Sequence, residues 1–466
     1  MQSSGEAVLI SDGPGPWRRG VATLRRWFAE GFFRRVFRNA GVLLGGKAAS
    51  GLFGLGALAL TARALGPELF GVLVLIHTYT QIVAGLTTFQ SWQAVIRYGA
   101  VCLEDDRRGD FQGLIKYTVL LDLGGAVGGA AIAAACAPTV GAWLGWSGDA
   151  TSLAVFYSVA ILFTVKAMPT GVLRLFNRFD ALAVQMAVAP AVRLAGAAVA
   201  YAVGGGLWAF LAAWLVAGAA GSLTLVVMGW RELARRGLTR GMRLSLKGAT
   251  KPHPGLWRFV WSTNLQSSVA AATGQLGTVT VGWILGPAAA GLYKIASQIA
   301  NVLITPSGLL QRSIYPELAR LSAQGGRRVL WRAVARAGLL AGSVAALAVP
   351  VLAVAGEPLI RLIAGAEYVD AYGVLVLLAL AATVSIYGFA LEPVMFAMGK
   401  PGTLLRVTVV VAVCYFLALV ILLRTMGLAG AGIAAVASTT AWSATVAVIA
   451  FRLLSRPEAL RPEKRP

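Results

Sequence analysis

Residues 60–75 read LTARALGPELFGVLVL, and the centre of that stretch, Leu65-Gly66-Pro67-x-x-x-Gly71, returns as Leu285-Gly286-Pro287-x-x-x-Gly291. A Gly-Pro pair between two apolar runs makes a sharp turn, and the later glycine falls in the first turn of the next helix. Each copy sits between the first and second segments of a set of six apolar segments. Recurrence 220 residues on (Gly66 to Gly286), at the same place in the threading, marks a duplication. Six is even, so the halves keep one orientation. They are expected to be parallel repeats related by an axis along the membrane normal, with a binding site between them.

Working outward from the two turns, twelve segments are long enough to cross a bilayer. They cover 40–62, 70–96, 113–137, 152–174, 181–203 and 207–229, then 259–284, 289–311, 334–355, 372–396, 404–424 and 428–451. Lys and Arg gather on alternate connections: Arg97, Arg107, Arg108, Arg174, Arg178, the run from Arg231 to Arg258, Arg312 to Arg336, Lys400 and Arg406. The opposite connections carry Arg63, Arg361 and Arg424. That asymmetry predicts both termini on the cytoplasmic side of a bacterial inner membrane. The organisation read from it is a basic amphipathic segment at 1–38, an N-lobe at 39–230, a basic cytoplasmic linker at 231–257, a C-lobe at 258–452 and a cytoplasmic tail at 453–466. Within the first segment Trp17, Val21, Leu24, Phe28 and Phe32 fall on one helical stripe away from Arg18, Arg19 and Arg26, as in an interfacial helix. The fold class is therefore all-α integral membrane, with about twelve transmembrane helices in two parallel six-helix lobes around a central cavity.

Composition agrees. Of 466 residues, 58% are hydrophobic and 13% charged, outside the range of an ordinary soluble domain. The net charge of +22 is carried beside apolar spans, where cations orient helices and meet anionic membrane lipids, so no nucleic-acid partner is expected. Cys102, Cys136 and Cys414 have no metal-ligand spacing, and neither metal nor cofactor is expected. A Walker-type loop is absent, so the chain does not hydrolyse ATP. The outer connections around Pro138–Thr151 and Gly356–Ala371 have no room for a folded catalytic domain, and the chain reads as a transporter, not an enzyme.

LTARALGPELFGVLVL followed by QAVIRYGA at 93–100, GWILGPAAAGLYKIASQIANVLITPSGLLQRSIYPELARL at 282–321, and LRLFNRFDALAV at 173–184 resemble the Wzx-type polysaccharide-biosynthesis flippases. These belong to the multidrug/oligosaccharidyl-lipid/polysaccharide exporter superfamily. The resemblance runs over roughly 39–452, and its motifs are structural, not catalytic. It implies transfer of an undecaprenyl-pyrophosphate-linked oligosaccharide from the inner to the outer leaflet. Other polysaccharide export proteins are then further partners. The related lipid II flippases typically carry two more helices, which this sequence does not show.

Ionisable side chains inside spans are costly and are functional candidates. Five cations qualify: Lys47, Lys116, Lys166, Arg193 and Lys294. Arg193 is the deepest, beyond Pro190 and about 20 Å past Asp180 along a helix. Lys47, Lys116 and Lys166 stand nearer the inner face, where they can also snorkel to water. Lys294 heads a polar stripe with Gln298 and Asn301. Two anions qualify, Asp122 and Glu392, as partners of these cations or as coupling-ion sites. His77, beside Thr78 and Gln81, reads as a packing histidine. Such a cavity suits a pyrophosphate. Gln81, Gln90, Gln266 and Gln275 are candidates for sugar hydroxyls. The resulting expectation is a flippase working by alternating access, driven by a coupling cation or by the membrane potential. Two alternatives stand beside it: a drug/cation antiporter of the same superfamily, which wants a carboxylate-rich cavity, and a membrane glycosyltransferase or polysaccharide polymerase, which wants acidic residues in larger outer loops.

Overall fold

The computed structural model describes residues 31–89, 91–242, 253, 255–323 and 327–455. The interfacial helix expected before Phe32, much of the basic linker and the C-terminal tail lie outside the described residues or their described side chains. Among the described residues every regular element is helical. In chain order they are α1 (Gly31–Thr87), α2 (Trp92–Glu104), α3 (Arg108–Trp143), α4 (Gly148–Tyr157), α5 (Ala167–Leu175), α6 (Phe179–Ala202) and α7 (Leu207–Arg235) in the first half. The second half holds α8 (Leu256–Leu285), α9 (Pro287–Ala323), α10 (Arg327–Ala346), α11 (Ala348–Ile363), α12 (Tyr372–Tyr387), α13 (Leu391–Ala397), α14 (Pro401–Met426) and α15 (Leu428–Ser455). Nine helical stretches among the described residues are long and apolar enough to span a membrane. The first of these runs over α1 and α2 and doubles back at Gly66, so it supplies two spans. The hairpin of α8 and α9 supplies two more, which gives the twelve expected.

The repeat is built into the backbone. Gly66 has φ 68° and ψ 171°, and Gly286 has φ 87° and ψ 175°. Only glycine takes that conformation without strain. Pro67 and Pro287 then open the next helix, where a missing N–H costs nothing. The two turns meet across the molecule. Gly71 leaves no room for a Cβ against the Pro287 carbonyl, and Gly291 leaves none against that of Pro67. Each turn thus presses on its counterpart's proline, the reciprocity expected of a two-fold-like axis.

Apart from a one-residue interruption of the ninth at Leu347, three of the expected straight spans are broken. The second one stops at Thr87 and resumes at Trp92; the fourth tightens into a 3₁₀ turn over Ser158–Thr164 before α5; the tenth parts between Tyr387 and Leu391. Hydropathy runs through the breaks of the fourth and tenth spans, so composition does not mark those two, whereas the second span breaks in the polar run Thr87-Thr88-Phe89-Gln90-Ser91. Side chains hold the breaks in place. Asp122 of α3 accepts from Ser91 Oγ at 2.7 Å and from the Met168 N–H at 2.9 Å, so one carboxylate joins the breaks of the second and fourth spans. In the other half Glu392, at the start of α13, accepts from Gln311 Nε2 at 2.9 Å. Gln311 follows Ser91 by the same 220 residues that part the two turn glycines. Of the glycines in α3, Gly125 and Gly129 press on Thr87, whereas Gly124 and Gly128 have nothing close beside them.

The halves meet at both ends. At the end bearing the turns, Arg63 donates to the carbonyls of Ile363 (3.2 Å) and Leu362, which caps the C-terminus of α11. The Tyr368 hydroxyl donates to the Ala62 carbonyl at 3.0 Å. Arg361 pairs with Glu357 at 2.7 Å. Arg63 and Arg361 depart from the charge asymmetry because each has a structural task at this end. At the linker end Leu256 and Val260 are buried with Ala94 and Leu114, and Phe89 meets Trp261 edge-on at 5.5 Å. Arg97 lies over Phe259 at 4.9 Å.

Candidate functional site

Arg193 lies in the middle of α6, fourteen residues after Phe179 and about 21 Å along the helix. Pro190, one turn earlier, has no N–H to give the helix, and α6 runs on past it. The guanidinium lies over the indole of Trp214 on α7, 4.4 Å from the ring centroid. Trp214 in turn meets the edge of His77 at 4.8 Å, and His77 Nδ1 is hydrogen-bonded to the Tyr157 hydroxyl at 2.9 Å. Tyr157 closes α4 where the chain tightens into its 3₁₀ turn. Four helices of the first half therefore contribute to one aromatic and cationic cluster.

Two lysines lie within electrostatic range of it. Lys166 occupies the break itself, at φ −123° and ψ −14°, immediately before α5. Lys294 comes from α9 of the other half, eight residues past Gly286. The charges of Arg193 and Lys294 both reach His77, and that of Arg193 reaches Lys166 and Lys294. Among the described residues none of these three cations pairs with a carboxylate. Arg193 Nε and Trp214 Nε1 are buried with no hydrogen-bond partner. Cations brought near one another without counter-charge repel, and a buried Nε with no acceptor is costly. An anion entering the cluster relieves both costs. Trp214 covers one face of the guanidinium.

The other residues singled out in the sequence are placed elsewhere. Lys47 is exposed on the first arm of α1, and Lys116 is half-buried on α3 with an interaction of its own. Asp122 and Glu392 serve the helix breaks and take neutral donors, Ser91 with the Met168 N–H and Gln311 respectively. Gln81 is exposed and Gln275 half-buried; Gln90 and the side chain of Gln266 lie outside the described residues. Among the described residues no group of three His, Cys, Asp or Glu side chains is placed to hold a metal. Sequence reading missed Tyr157 and Trp214, because an aromatic residue in an apolar span carries no mark of facing a cation. It also missed Asn264 and Ser268 on α8, whose Oδ1 and Oγ are buried without partners. Their spacing of four was the available signal.

With this geometry in view, comparison with known proteins gives a consistent result. Residues 36–322 match the family model described as polysaccharide biosynthesis protein. Inner membrane protein YghQ of Escherichia coli (strain K12) is 36% identical over 353 residues, 75% of this chain and 98% of that protein. Among solved structures, an inward-facing multidrug resistance MATE family transporter of the MOP superfamily superposes with a TM-score of 0.66 at 15% identity, covering 89% of this chain and 94% of that one. The lipid II flippase MurJ in its inward closed conformation gives 0.64 at 14% identity, covering 88% and 87%. A MOP superfamily transporter from Pyrococcus furiosus, described as having a binding pocket of reverse polarity that suggests a different function, gives 0.60 at 14%, covering 90% and 95%. At these identities the structural likeness establishes the fold, two lobes of a membrane transporter.

Proposed function

We infer the function from one premise: the chain belongs to the polysaccharide biosynthesis protein family, within a fold of transporters and flippases. It is a flippase that carries an undecaprenyl-pyrophosphate-linked oligosaccharide from the inner to the outer leaflet by alternating access. The observation that carries this reading is that Lys166 and Lys294, one from each half, lie within electrostatic range of the half-buried Arg193, whose buried Nε has no partner, and that among the described residues none of the three pairs with a carboxylate. A pyrophosphate matches it in charge and in its need for forked donors. The same feature counts against the drug/cation antiporter, since an organic cation would enter against three like charges.

In this reading the N-lobe is 39–230 and the C-lobe 258–452, and both termini and the linker are cytoplasmic, which puts the two Gly-Pro turns outside. Lys47 and Lys116 meet the anionic head group nearer the cytoplasmic side, while the polyprenyl tail stays in lipid. Asp122 and Glu392 are the coupling candidates, since loss or gain of charge at either would alter a helix break. A coupling cation or the membrane potential resets the empty carrier, at about 2.3 kcal/mol per mobile charge per 100 mV.

Two measurements test the reading. Purified protein in nanodiscs is expected to bind undecaprenyl-pyrophosphate sugars with an affinity that falls as salt rises, and to ignore lipophilic cations. Stronger binding of ethidium-like drugs than of the lipid-linked sugar would establish the antiporter instead. Reporters fused within 231–258 and after Arg456 are expected to report cytoplasm and one at Gly148 the outside; a cytoplasmic signal at Gly148 would overturn the orientation.

A further inference from the structure

One face of α8 changes character along its length. Near its start Leu256 and Val260 are buried against Ala94 and Leu114 of the other half. Near its end Gly282 presses on Leu75, again of the other half. Leu256, Val260, Asn264, Ser268, Gln275, Thr278 and Gly282 recur at the spacing of a single helical stripe, so the residues between the two contacts look the same way, toward the seam of the lobes. There the face is polar. Asn264 and Ser268 are each 5% exposed, and neither Asn264 Oδ1 nor Ser268 Oγ has a hydrogen-bond partner.

Several hydroxyls on other helices of this chain behave differently, although Ser443 Oγ on α15 is, like Ser268 Oγ, buried without a partner. Thr61, Thr118, Ser158 and Thr383 each donate back to the carbonyl four residues earlier, the usual solution inside an apolar helix. Ser268 does not take that solution, although its helix is intact there. Its hydroxyl and the Asn264 Oδ1, one turn apart, are left for something else. Helix α8 contains no Asp or Glu, so a cation would find no counter-charge on this face. An amide and a hydroxyl offer donors and acceptors without charge, which is what adjacent sugar hydroxyls require. Position matters too. The Tyr293 hydroxyl lies beside Gly277, which sets the level of neighbouring Lys294, and Ser268 stands about 14 Å along the helix from that level. That is the reach of a short oligosaccharide.

We propose that Asn264 and Ser268 form a sugar-recognition pair that hydrogen-bonds the glycan of the lipid-linked substrate, while Arg193, Lys166 and Lys294 hold its pyrophosphate. The pair sets preference for the glycan, and the proposal rests on the flippase reading above.

The full-length protein in nanodiscs is titrated with two probes: undecaprenyl pyrophosphate without sugar, and the undecaprenyl-pyrophosphate-linked oligosaccharide extracted from the producing cells. Ser268→Ala and Asn264→Leu are expected to weaken binding of the sugar-bearing probe about tenfold and leave the bare lipid unchanged. Ser268→Thr should keep the preference. Because the two atoms have no partner in the free protein, the thermal midpoint of the ligand-free variants should hold or rise. Should Asn264→Leu fail to fold, Ser268→Ala decides alone. The pair has no such role if both variants bind the sugar-bearing probe as wild type does, lose both probes equally, or melt earlier without ligand. Wild-type protein that binds neither probe would sink the flippase reading, an outcome distinct from a loss of preference.

Discussion

At their turns the two halves are nearly interchangeable. Gly66 and Gly286 share one backbone conformation, and Gly71 and Gly291 press reciprocally on each other's turn. A few helical turns deeper they part company. The first half holds Arg193, Trp214, His77 and Tyr157 in one cluster. The second contributes Lys294, the hydroxyls of Tyr293 and Tyr415 together beside Gly277, and the unpartnered Asn264 Oδ1 and Ser268 Oγ. At the level of the helix breaks the halves solve one problem with different residues: Ser91 with Asp122 in the first, Gln311 with Glu392 in the second. Duplication kept what the fold requires, a tight reversal and a broken span, and let the interiors diverge. An interior that differs between halves can hold the two ends of an asymmetric substrate, charge on one side and sugar on the other.

The largest test of that division is Arg193. Arg193→Glu should reduce glycan export on the order of 100-fold with normal membrane abundance, since it places like charge against a pyrophosphate in a poorly screened interior. Arg193→Ala should be nearly as severe, and Arg193→Lys partly active, because the ammonium keeps the charge and loses the fork. Export at the normal rate in Arg193→Ala would remove the first half's claim to the charged end. Lys294, the second half's one contribution to the cluster, should matter less: about tenfold for Lys294→Ala, measured by the same export assay, with Lys294→Arg tolerated. Equal losses at both positions would mean that the halves share the pyrophosphate evenly.

The helix breaks give a smaller contrast, read as thermal stability. Asp122→Ala strands a buried hydroxyl and a helix N–H and should cost about 2–3 kcal/mol, whereas Gln311→Ala, at a half-buried site, should cost about 1 kcal/mol. The reverse order would mean that the second half's break depends more on its carboxylate. The smallest effect is expected at the turn end. Arg63→Ala removes a cap that the first half lends to the last turn of α11, and should raise the population open at this end about fivefold, measured by amide hydrogen exchange in that last turn.

How legible this was depends on the range of the physics involved. The two Gly-Pro turns, the twelve spans and the duplication were readable because turn sterics and hydropathy act over a few residues. So was Arg193, since a guanidinium fourteen residues into an apolar helix is conspicuous wherever its helix turns. Asp122 was visible as an intramembrane carboxylate, but its partners were not: Ser91 and Met168 are 31 and 46 residues away in sequence. The break of the fourth span was hidden because Ser158–Thr164 is as apolar as the helix before it, while that of the second lies in the polar run at 87–91, whose partner across the fold the sequence does not name.

What the sequence determined by itself is the class of molecule: its spans, its duplication and its excess of cations within the spans, all consequences of local backbone sterics and of how residues partition between water and lipid. What only the tertiary structure decided is which side chains meet. Lys166 and Lys294 are brought to Arg193 from different helices, and the latter from a different half, while Lys47 stays outside. The reason is physical. In a soluble helix the polar side marks solvent and the apolar side marks the core, so facing can be read from periodicity. In a membrane the lipid is as apolar as the protein interior, and that contrast vanishes. Helix rotation is then set by close packing, such as Gly71 on Pro287 and Gly282 on Leu75, and packing is a property of the assembled lobes.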